Sequence, residues 1–420
     1  MTPKIAAHTL GCKVNQYDTE QILKTFQQAG FEIIDFCHQA DIYLINTCAV
    51  TQVAEHKSRQ FVAKAKKTNP LAKIIITGCA VKFNKNKKSN SDLVEIVEDQ
   101  SSIESLKAKQ LFAEICKQKD YANNNKTFFK DSTTTTNRVR RFLVIQRGCE
   151  QFCSYCVIPY LRGRYFSNPL SEIVSEAKYL IEKENTKEII LTGINLGSYG
   201  IDLQQDNKIR LTNVVEKIAK IDENFRIRLS SIEPQYWDDD LLKSIKNNPK
   251  VCNHFHIPIQ SASENVLKLM NRPTTLATTK KNIESIYNHF PDAAITADII
   301  VGFPGETDSD FNKTYSFLEK LSFAKLHIFK FSQRSGTKAE KLPNKIKTPI
   351  IKQRADQLQK LNQKLTEEYQ GKFVNKKLTV LWEQYNPKTK QLNGLSDNYL
   401  RFFKNGNKNE IGSFEEVIWQ

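Results

Sequence analysis

The sequence predicts an α/β protein in three parts: an N-terminal parallel α/β domain, a central full or partial (β/α) barrel, and a small C-terminal β-barrel. Three observations carry this prediction. Near the N-terminus, short apolar runs recur, each closed by a cysteine and separated by helix-like stretches. From Arg138 to about Phe331 strand-like and helix-like segments alternate, as repeated β/α units require. Beyond a helix-like run over Pro349 to Gln370, the tail from about Gly371 to Gln420 reads as short strands with turns.

The length of 420 residues exceeds what one ordinary core fills, so two or three domains are expected. Apolar residues make up 40% and charged residues 26%, a composition of soluble globular proteins, and no apolar stretch approaches bilayer length. The segment Met1 to Leu10 holds one lysine and no long apolar run, so it reads as a first strand rather than a secretory signal, and the expected location is the cytoplasm.

In the first part, Lys4 to Leu10 precedes Cys12, Ile42 to Thr47 precedes Cys48, and Ile74 to Thr77 precedes Cys79, with helices expected over Tyr17 to Ala29 and Gln52 to Lys67. Parallel sheets place their ligands beyond the carboxyl ends of the strands, where all three thiols would project. Any one of these cysteines alone reads as an ordinary buried residue. The repeated placement is what points to a shared ligand.

Asn84 to Asn90 is Lys/Asn-rich and reads as a loop; Tyr121 to Asn137, with Asn123-Asn124-Asn125 and Thr133 to Thr136, reads as a linker that has too little to bury to offset its ordering entropy. The expected division is 1–120, linker 121–137, barrel 138–348, connecting helix 349–370 and tail 371–420. The barrel's clearest elements are Phe142 to Gln146, Ser171 to Glu184, Glu188 to Thr192, Phe225 to Ser231, His254 to Ile259, Ile295 to Phe303 and Lys325 to Phe331. Pattern leaves its closure open but puts its site at the strand C-termini. Asn393-Gly394 and Asn405-Gly406 are the expected turns of the tail.

The net charge of +16 favours a polyanionic partner, nucleic acid first among them. Overuse of lysine and asparagine across a proteome would give the same number. Nine cysteines in a cytosolic chain point to metal binding or chemistry more than to disulfides. After the strand Phe142 to Gln146 comes Arg147-Gly148-Cys149-Glu150-Gln151-Phe152-Cys153-Ser154-Tyr155-Cys156, three thiols spaced Cys-x3-Cys-x2-Cys. Such a loop can wrap three irons of a cubane, with Gly148 easing the tight course, and leaves the fourth iron without a protein ligand. Zinc is the competing metal. A structural zinc needs a fourth ligand, and no histidine lies between Cys149 and Ser167; a catalytic zinc with three ligands stays open on spacing alone.

Cys149, Cys153 and Cys156, with Tyr155 before the last, resemble the radical S-adenosylmethionine signature. His8-Thr9-Leu10-Gly11-Cys12-Lys13-Val14-Asn15-Gln16-Tyr17, Ile45-Asn46-Thr47-Cys48 and Thr77-Gly78-Cys79 resemble an N-terminal methylthiotransferase domain, Val301-Gly302-Phe303-Pro304-Gly305-Glu306-Thr307 resembles a barrel motif of the same family, and the tail resembles the RNA-binding TRAM domain. The resemblance spans essentially the whole chain. The Cys12-Lys13-Val14-Asn15-Gln16 version is most similar to the subgroup acting on N6-threonylcarbamoyladenosine at tRNA position 37, next to the anticodon. Relatives acting on isopentenyladenosine in tRNA or on a ribosomal protein aspartate are the alternatives within the family. A non-catalytic iron–sulfur protein that binds RNA and senses redox state is the alternative of another class.

The resemblance implies two [4Fe–4S] clusters and S-adenosylmethionine. Cys149, Cys153 and Cys156 would hold the cluster whose open iron binds S-adenosylmethionine, and one electron would then release a 5′-deoxyadenosyl radical. The hydrogen on C2 of adenine has no useful acidity, so a radical route suits it. Cys12, Cys48 and Cys79 would hold the second cluster, which carries the sulfur to be inserted; a second S-adenosylmethionine would methylate it. Implied partners are tRNA through its anticodon loop and a reductant protein such as flavodoxin or ferredoxin, with no membrane. Expected cofactor contacts are Tyr155, Thr192, Gly193, Asn195, Glu233, Gln260 and Gly302, placed at strand C-termini; Gly193 and Gly302 also read as simple turn glycines.

Cys252, His254 and His256 alternate on one strand face, but the two histidines match a stretch the family uses in its barrel, so an extra metal there is not the preferred reading. Cys37 and Cys116 match no motif and are read as structural. Arg138, Arg140, Arg141, Arg162 and Arg164 are candidates for gripping anticodon-loop phosphates, or are solvated surface charge. In the tail, Trp382, Phe402, Phe403 and Lys404 offer stacking and charge for RNA, though aromatics in so small a barrel more often form its core.

Overall fold

The structure is a computed structural model that describes residues 2–83, 94–96, 105–118, 138–203 and 209–420. The expected loop at Asn84 to Asn90 and the linker at Tyr121 to Asn137 lie outside the described residues. Two compact units result: the first is 1–136 with 160–162 and 332–334, and the second is 137–159, 163–331 and 335–420.

In the first unit, strands β1 (Lys4–Thr9), β2 (Glu32–Ile34), β3 (Ile42–Thr47), β4 (Lys73–Gly78) and β5 (Val94–Ile96) form one parallel sheet in the order β2-β1-β3-β4-β5. Every residue of β3 is buried, as a central strand covered on both faces must be. Helices α1 (Lys13–Gln28), α2 (Gln52–Thr68), α3 (Cys79–Phe83) and α4 (Ser105–Gln118) follow their strands closely. Ile5, Leu44 and Ile75 pack with Ile22, Phe26 and Leu111 on one side, while Ala6, Tyr43 and Ile45 pack with Ala65 on the other. Alternate strand residues thus bury opposite faces.

The second unit holds two sheets, β7-β6-β8-β9 and β10-β11-β12. Their members are β6 (Arg140–Arg147), β7 (Phe166–Ser167), β8 (Glu188–Gly193), β9 (Arg226–Leu229), β10 (His254–Gln260), β11 (Ala294–Val301) and β12 (Lys325–Lys330). Isolated parallel bridges, Ile227 to Val251 and Ser231 to His256, join the sheets. Six parallel strands therefore run side by side, with only β7 antiparallel. The barrel is partial. Outward residues of β11 (Ile295, Ala297, Ile299, Val301) meet Ile283 and Ile286 of α5 (Leu276–His289), Phe311 and Leu318 of α6 (Asp308–Glu319), and Leu358 of α7 (Thr348–Gly371). Each such fully buried side chain contributes about 1.5–3 kcal/mol. Thr307 and Asp310 start α6 with a reciprocal capping box, which fixes where the chain turns from strand to helix.

The tail forms an antiparallel half-barrel sheet, consistent with a TRAM domain, in the order β15 (Arg401–Asn405), β14 (Gln391–Ser396), β13 (Lys377–Asn386), β16 (Phe414–Ile418). Asn405-Gly406 closes β15 as expected, but Asn393-Gly394 lies inside β14. The turn falls instead before Gln391, where Lys390 has φ +54°. Gly394 sits where a Cβ would come 2.5 Å from Val380 and 2.7 Å from Trp382, so that glycine serves close packing rather than a turn.

Candidate metal centres and cofactor site

Each of Cys12, Cys48 and Cys79 lies at or just past the carboxyl end of a neighbouring parallel strand, β1, β3 and β4. Cys12 occupies the N-cap position of α1 but makes no side-chain cap bond, where Ser, Thr, Asp or Asn is usual. The thiol is left to another task. Gly11, at φ +100°, lets this turn pass Cys48: a Cβ there would lie 2.9 Å from its Sγ. Gly78, at φ +97°, has Asn46 Oδ1 only 2.3 Å from its Cβ position.

Buried amides bind the three strand ends together. Asn15 Nδ2 donates to the carbonyls of Leu10 (2.9 Å) and Thr47 (3.0 Å), Asn46 Nδ2 donates to the Asn15 carbonyl (2.9 Å), and Thr47 Oγ1 donates to the Thr77 carbonyl (2.6 Å). Arg162 reaches Asp18 Oδ2 (3.0 Å) and Asn15 Oδ1 (2.5 Å), with the Cys79 thiol beside it. Burial pushes the Cys48 thiol up to about 11, and the nearby Cys79 and Cys12 push the same way. Burial also raises Cys12. Such thiols ionise when a metal replaces the proton.

In the second unit, Gly148 has φ +71° and its Cβ position lies 1.7 Å from the Arg164 carbonyl, so only glycine fits this crossing. Cys149 N donates to the Gly163 carbonyl (3.0 Å), Cys156 N to that of Cys153 (2.9 Å), and Ser154 N to that of Met270 (2.8 Å). The loop is therefore fixed at both ends. Burial lifts the Cys149 thiol to about 11 and Cys156 to about 12, and the neighbouring thiols of the loop add to both shifts.

Among the described residues, only two groups of His, Cys, Asp or Glu hold three ligand atoms within 4.8 Å of one another: Asp35, Cys37 and His38, and His256, Asp298 and His327. Neither cysteine trio is that tight. Ligands around one zinc, with Zn–S near 2.3 Å, lie about 4 Å apart, whereas a cube of irons spreads its thiolates wider. Soft, converging thiols at this looser spacing fit iron–sulfur cubes.

Glu233 and Arg272 are paired beside the cysteine loop, with Arg272 Nη1 3.0 Å from Glu233 Oε1 and 3.7 Å from Cys153 Sγ. Tyr155, partly buried against Phe303, lies close enough to feel both groups. Thr192 is buried at the end of β8. Gln146 ties the following turn to the loop, accepting from Asn195 N (2.8 Å) and donating to the carbonyls of Arg147 (2.6 Å) and Gly148 (3.0 Å); it also stands 3.0 Å from the Cβ position of Gly193. Asn195 is 4% exposed, and both of its side-chain amide atoms lack a partner. Buried amides are normally paired, so this one is suited to a small polar ligand. Gln260 ends β10 at φ +68°.

Other expected residues fall elsewhere. The Cβ position of Gly302 is 2.4 Å from Ile351 of α7, so the glycine admits a helix. Arg140 pairs with Glu188 and Glu383, Arg141 with Glu184 and Arg162 with Asp18; charges committed this way are not a phosphate grip. Arg164 and Arg138 are exposed. Trp382 and Phe402 are core residues of the tail, with Phe403 exposed. Cys252 is buried, Cys116 intermediate, and Cys37 exposed next to Asp35, so Cys37 is not a packing residue. Sequence reasoning missed Asn15, Asn46, Gln146 and Arg272. A polar Asn46 inside an otherwise apolar buried strand was the available signal; nothing local marked Arg272.

Comparison with known proteins agrees with this geometry. The Radical SAM superfamily model matches residues 143–318, and the model described as Uncharacterized protein family UPF0004 matches residues 4–97. The threonylcarbamoyladenosine tRNA methylthiotransferase MtaB of Bacillus subtilis is 35% identical, over 98% of this chain and 93% of its own length. The ribosomal protein uS12 methylthiotransferase RimO of Clostridioides difficile is 34% identical (91% and 87%). The tRNA-2-methylthio-N(6)-dimethylallyladenosine synthase of Endomicrobium trichonymphae is 32% identical (97% and 95%). Among solved structures, the radical S-adenosylmethionine methyltransferase TsrM of Kitasatospora setae shares the fold, at TM-score 0.53 and 12% identity over 79% of this chain and 75% of that one.

The family models and the relatives matched over nearly the whole chain make this a radical S-adenosylmethionine enzyme. The chain belongs to the radical S-adenosylmethionine methylthiotransferase family, whose chemistry uses S-adenosylmethionine and two [4Fe–4S] clusters.

Proposed function

We propose that this enzyme adds a methylthio group to C2 of N6-threonylcarbamoyladenosine beside the anticodon of tRNA. The observation that carries this assignment is the match to the threonylcarbamoyladenosine enzyme of Bacillus subtilis over nearly the whole of both chains. Relatives acting on dimethylallyladenosine or on a ribosomal protein stand only slightly lower.

In this proposal Cys149, Cys153 and Cys156 hold one cluster, and Cys12, Cys48 and Cys79 hold the other. The division of labour follows 1–120 for sulfur insertion, 138–348 for radical generation and 371–420 for RNA, with 121–137 and 349–370 as connections. When bound, the clusters and S-adenosylmethionine supply the one-electron and methyl-transfer chemistry. The chain's own residues position and enclose. Gly148 permits the backbone crossing at the start of the three-thiol loop, and Glu233, held by Arg272, offers a carboxylate for the cofactor's amine or ribose. Asn195 supplies the unpartnered amide, with Tyr155, Thr192, Gly193 and Gln260 shaping the rest of the pocket. No helix among the described residues is long and apolar enough to cross a membrane; tRNA and a flavodoxin- or ferredoxin-type reductant are the partners this chemistry needs.

Nucleoside analysis of tRNA from cells with and without this gene tests the assignment. Loss of the 2-methylthio form of N6-threonylcarbamoyladenosine, with its unthiolated parent accumulating, is expected. Loss of only the dimethylallyl product, or of a modified ribosomal aspartate, would overturn it.

A further inference from the structure

Helix α2 carries a set of cations that neither thiol trio uses. Its inner face is fixed by packing, with Phe61, Val62 and Ala65 against Tyr43, Ile45 and Ile74 of the sheet. Its outer face is exposed at Lys57, Arg59, Gln60, Ala63, Lys64, Lys66 and Lys67. Residues three, four and seven apart share one side of a helix, so Lys57, Gln60, Lys64 and Lys67 form a straight stripe about 15 Å long. Arg59 and Lys66, seven residues apart, run beside it.

These charges are not balanced locally. Glu55, the one acidic residue of the helix, accepts from Arg334 Nη2 at 3.0 Å. Elsewhere in the same unit Lys4 pairs with Glu32 and Lys73 with Glu114, whereas Lys57, Arg59, Lys64, Lys66 and Lys67 make no ion pair among the described residues. Asp35 of the neighbouring loop is close enough to be affected by Lys64, but it turns Oδ1 to the Cys37 N–H at 2.8 Å. Lys66 and Lys67 stand in the last turn, where the helix dipole favours cations. Lys57, Arg59 and Lys64 have no such support, and the packing of α2 does not need them.

We propose that the exposed stripe of α2 is a docking track for the phosphate backbone of the tRNA substrate, separate from the C-terminal sheet. This rests on the tRNA function proposed above and adds a surface on the first unit to it. A line of cations matches the repeated charge of a nucleic acid strand, and each phosphate it neutralises releases counterions. Phosphate contacts set position and register without reading bases, a task for which lysine ammoniums on long stems suffice. An acidic reductant protein is the competing partner for a basic surface. Its electron is needed at the cluster assigned to Cys149, Cys153 and Cys156 in the second unit, whereas the stripe belongs to the first.

The test uses cluster-loaded full-length enzyme and tRNA purified from cells lacking this gene. Dissociation constants are measured over a range of salt for the wild type, for the triple variant K57Q/K64Q/K67Q, for the charge-keeping K57R/K64R/K67R, and for K217Q/K281Q/K313Q, which removes the same charge from exposed lysines on helices of the second unit. Iron content and cleavage of S-adenosylmethionine without RNA check that each variant is intact. In the first triple variant Kd should rise about 10-fold or more near physiological salt, and the slope of log Kd against log salt should fall by about 2 to 3. The arginine variant should bind like the wild type, and the second-unit variant should lose much less. Equal Kd and equal slope in K57Q/K64Q/K67Q and K217Q/K281Q/K313Q overturn the docking track alone. Unchanged RNA binding with slower cluster reduction by flavodoxin in K57Q/K64Q/K67Q also overturns it, in favour of the reductant. A wild type that does not bind this tRNA, with the tRNA's 2-methylthio nucleosides unchanged by loss of the gene, overturns both the track and the function on which it rests.

Discussion

Glu188 and Arg228 form a buried pair at the foot of the barrel: the carboxylate accepts from Arg228 Nε at 3.0 Å and from Nη2 at 3.1 Å. The same carboxylate meets Arg226 Nε at 2.5 Å and Arg140 Nε at 2.7 Å. Arg228 continues to the carbonyls of Ser396 (3.0 Å) and Asp397 (2.9 Å), and Arg226 to that of Leu395 (2.9 Å). One acidic residue therefore anchors three strands of the barrel and, through its arginines, the C-terminal sheet.

Glu188→Gln should destabilise the protein by about 3–5 kcal/mol at neutral pH, because it leaves guanidinium charge buried without its counter-ion. Desolvation alone would raise the Glu188 pKa, but Arg228, Arg226 and Arg140 outweigh it and hold the group well below the ordinary carboxylate range. A depressed folded pKa contributes stability above the unfolded value, near 4.3, that is lost as pH falls below it. Urea unfolding of wild type and variant should accordingly converge only under acid conditions, below about pH 4; a gap that is equally small at pH 7 would contradict the account.

Replacing Cys12, Cys48 and Cys79 together by serine should lower iron from about eight to about four per chain. Anaerobic iron and sulfide analysis reads this directly. Reductive cleavage of S-adenosylmethionine should persist while methylthio product disappears, because Cys149, Cys153 and Cys156 are untouched.

Gly148→Ala and Gly78→Ala should each disable one site through the backbone. Both glycines sit at positive φ, with carbonyl oxygens 1.7 Å and 2.4 Å from the new Cβ, and neither obstacle is a flexible side-chain tip. Strain of about 1–3 kcal/mol or more should appear as loss of about four irons in each single variant. Full loading of Gly148→Ala would show that the loop crossing can relax.

Arg272→Ala should weaken S-adenosylmethionine binding about 10- to 100-fold, as expected when one side of a charge-assisted pair is removed. Arg272→Lys should recover only part of this, since an ammonium cannot serve Glu233, the Pro258 carbonyl and the Cys153 side with one planar fork. Equilibrium binding by loaded enzyme measures it, and the spectrum of the neighbouring cluster should shift in the same variants.

The placement of the cysteines was legible because strand period and chain order alone put Cys12, Cys48 and Cys79 at parallel strand ends, and because Cys149, Cys153 and Cys156 are close in sequence. Long-range polar partners were not. Arg272 meets Glu233 across 39 residues and Cys153 across 119, a distance over which no pattern of hydrophobicity speaks. The arginines at 140, 141 and 162 misled for the same reason: composition counts charges but does not reveal which carboxylate each one meets. The Asn393-Gly394 pair failed as a turn because Val380 and Trp382 needed space beside it.

The attachment of Leu395, Ser396 and Asp397 to Arg226 and Arg228 means that the last fifty residues are not a detachable accessory. A chain cut near residue 370 would present unshielded cations at the barrel's floor, and a foreign RNA-binding module grafted there would have to reproduce those backbone oxygens before it could join the scaffold.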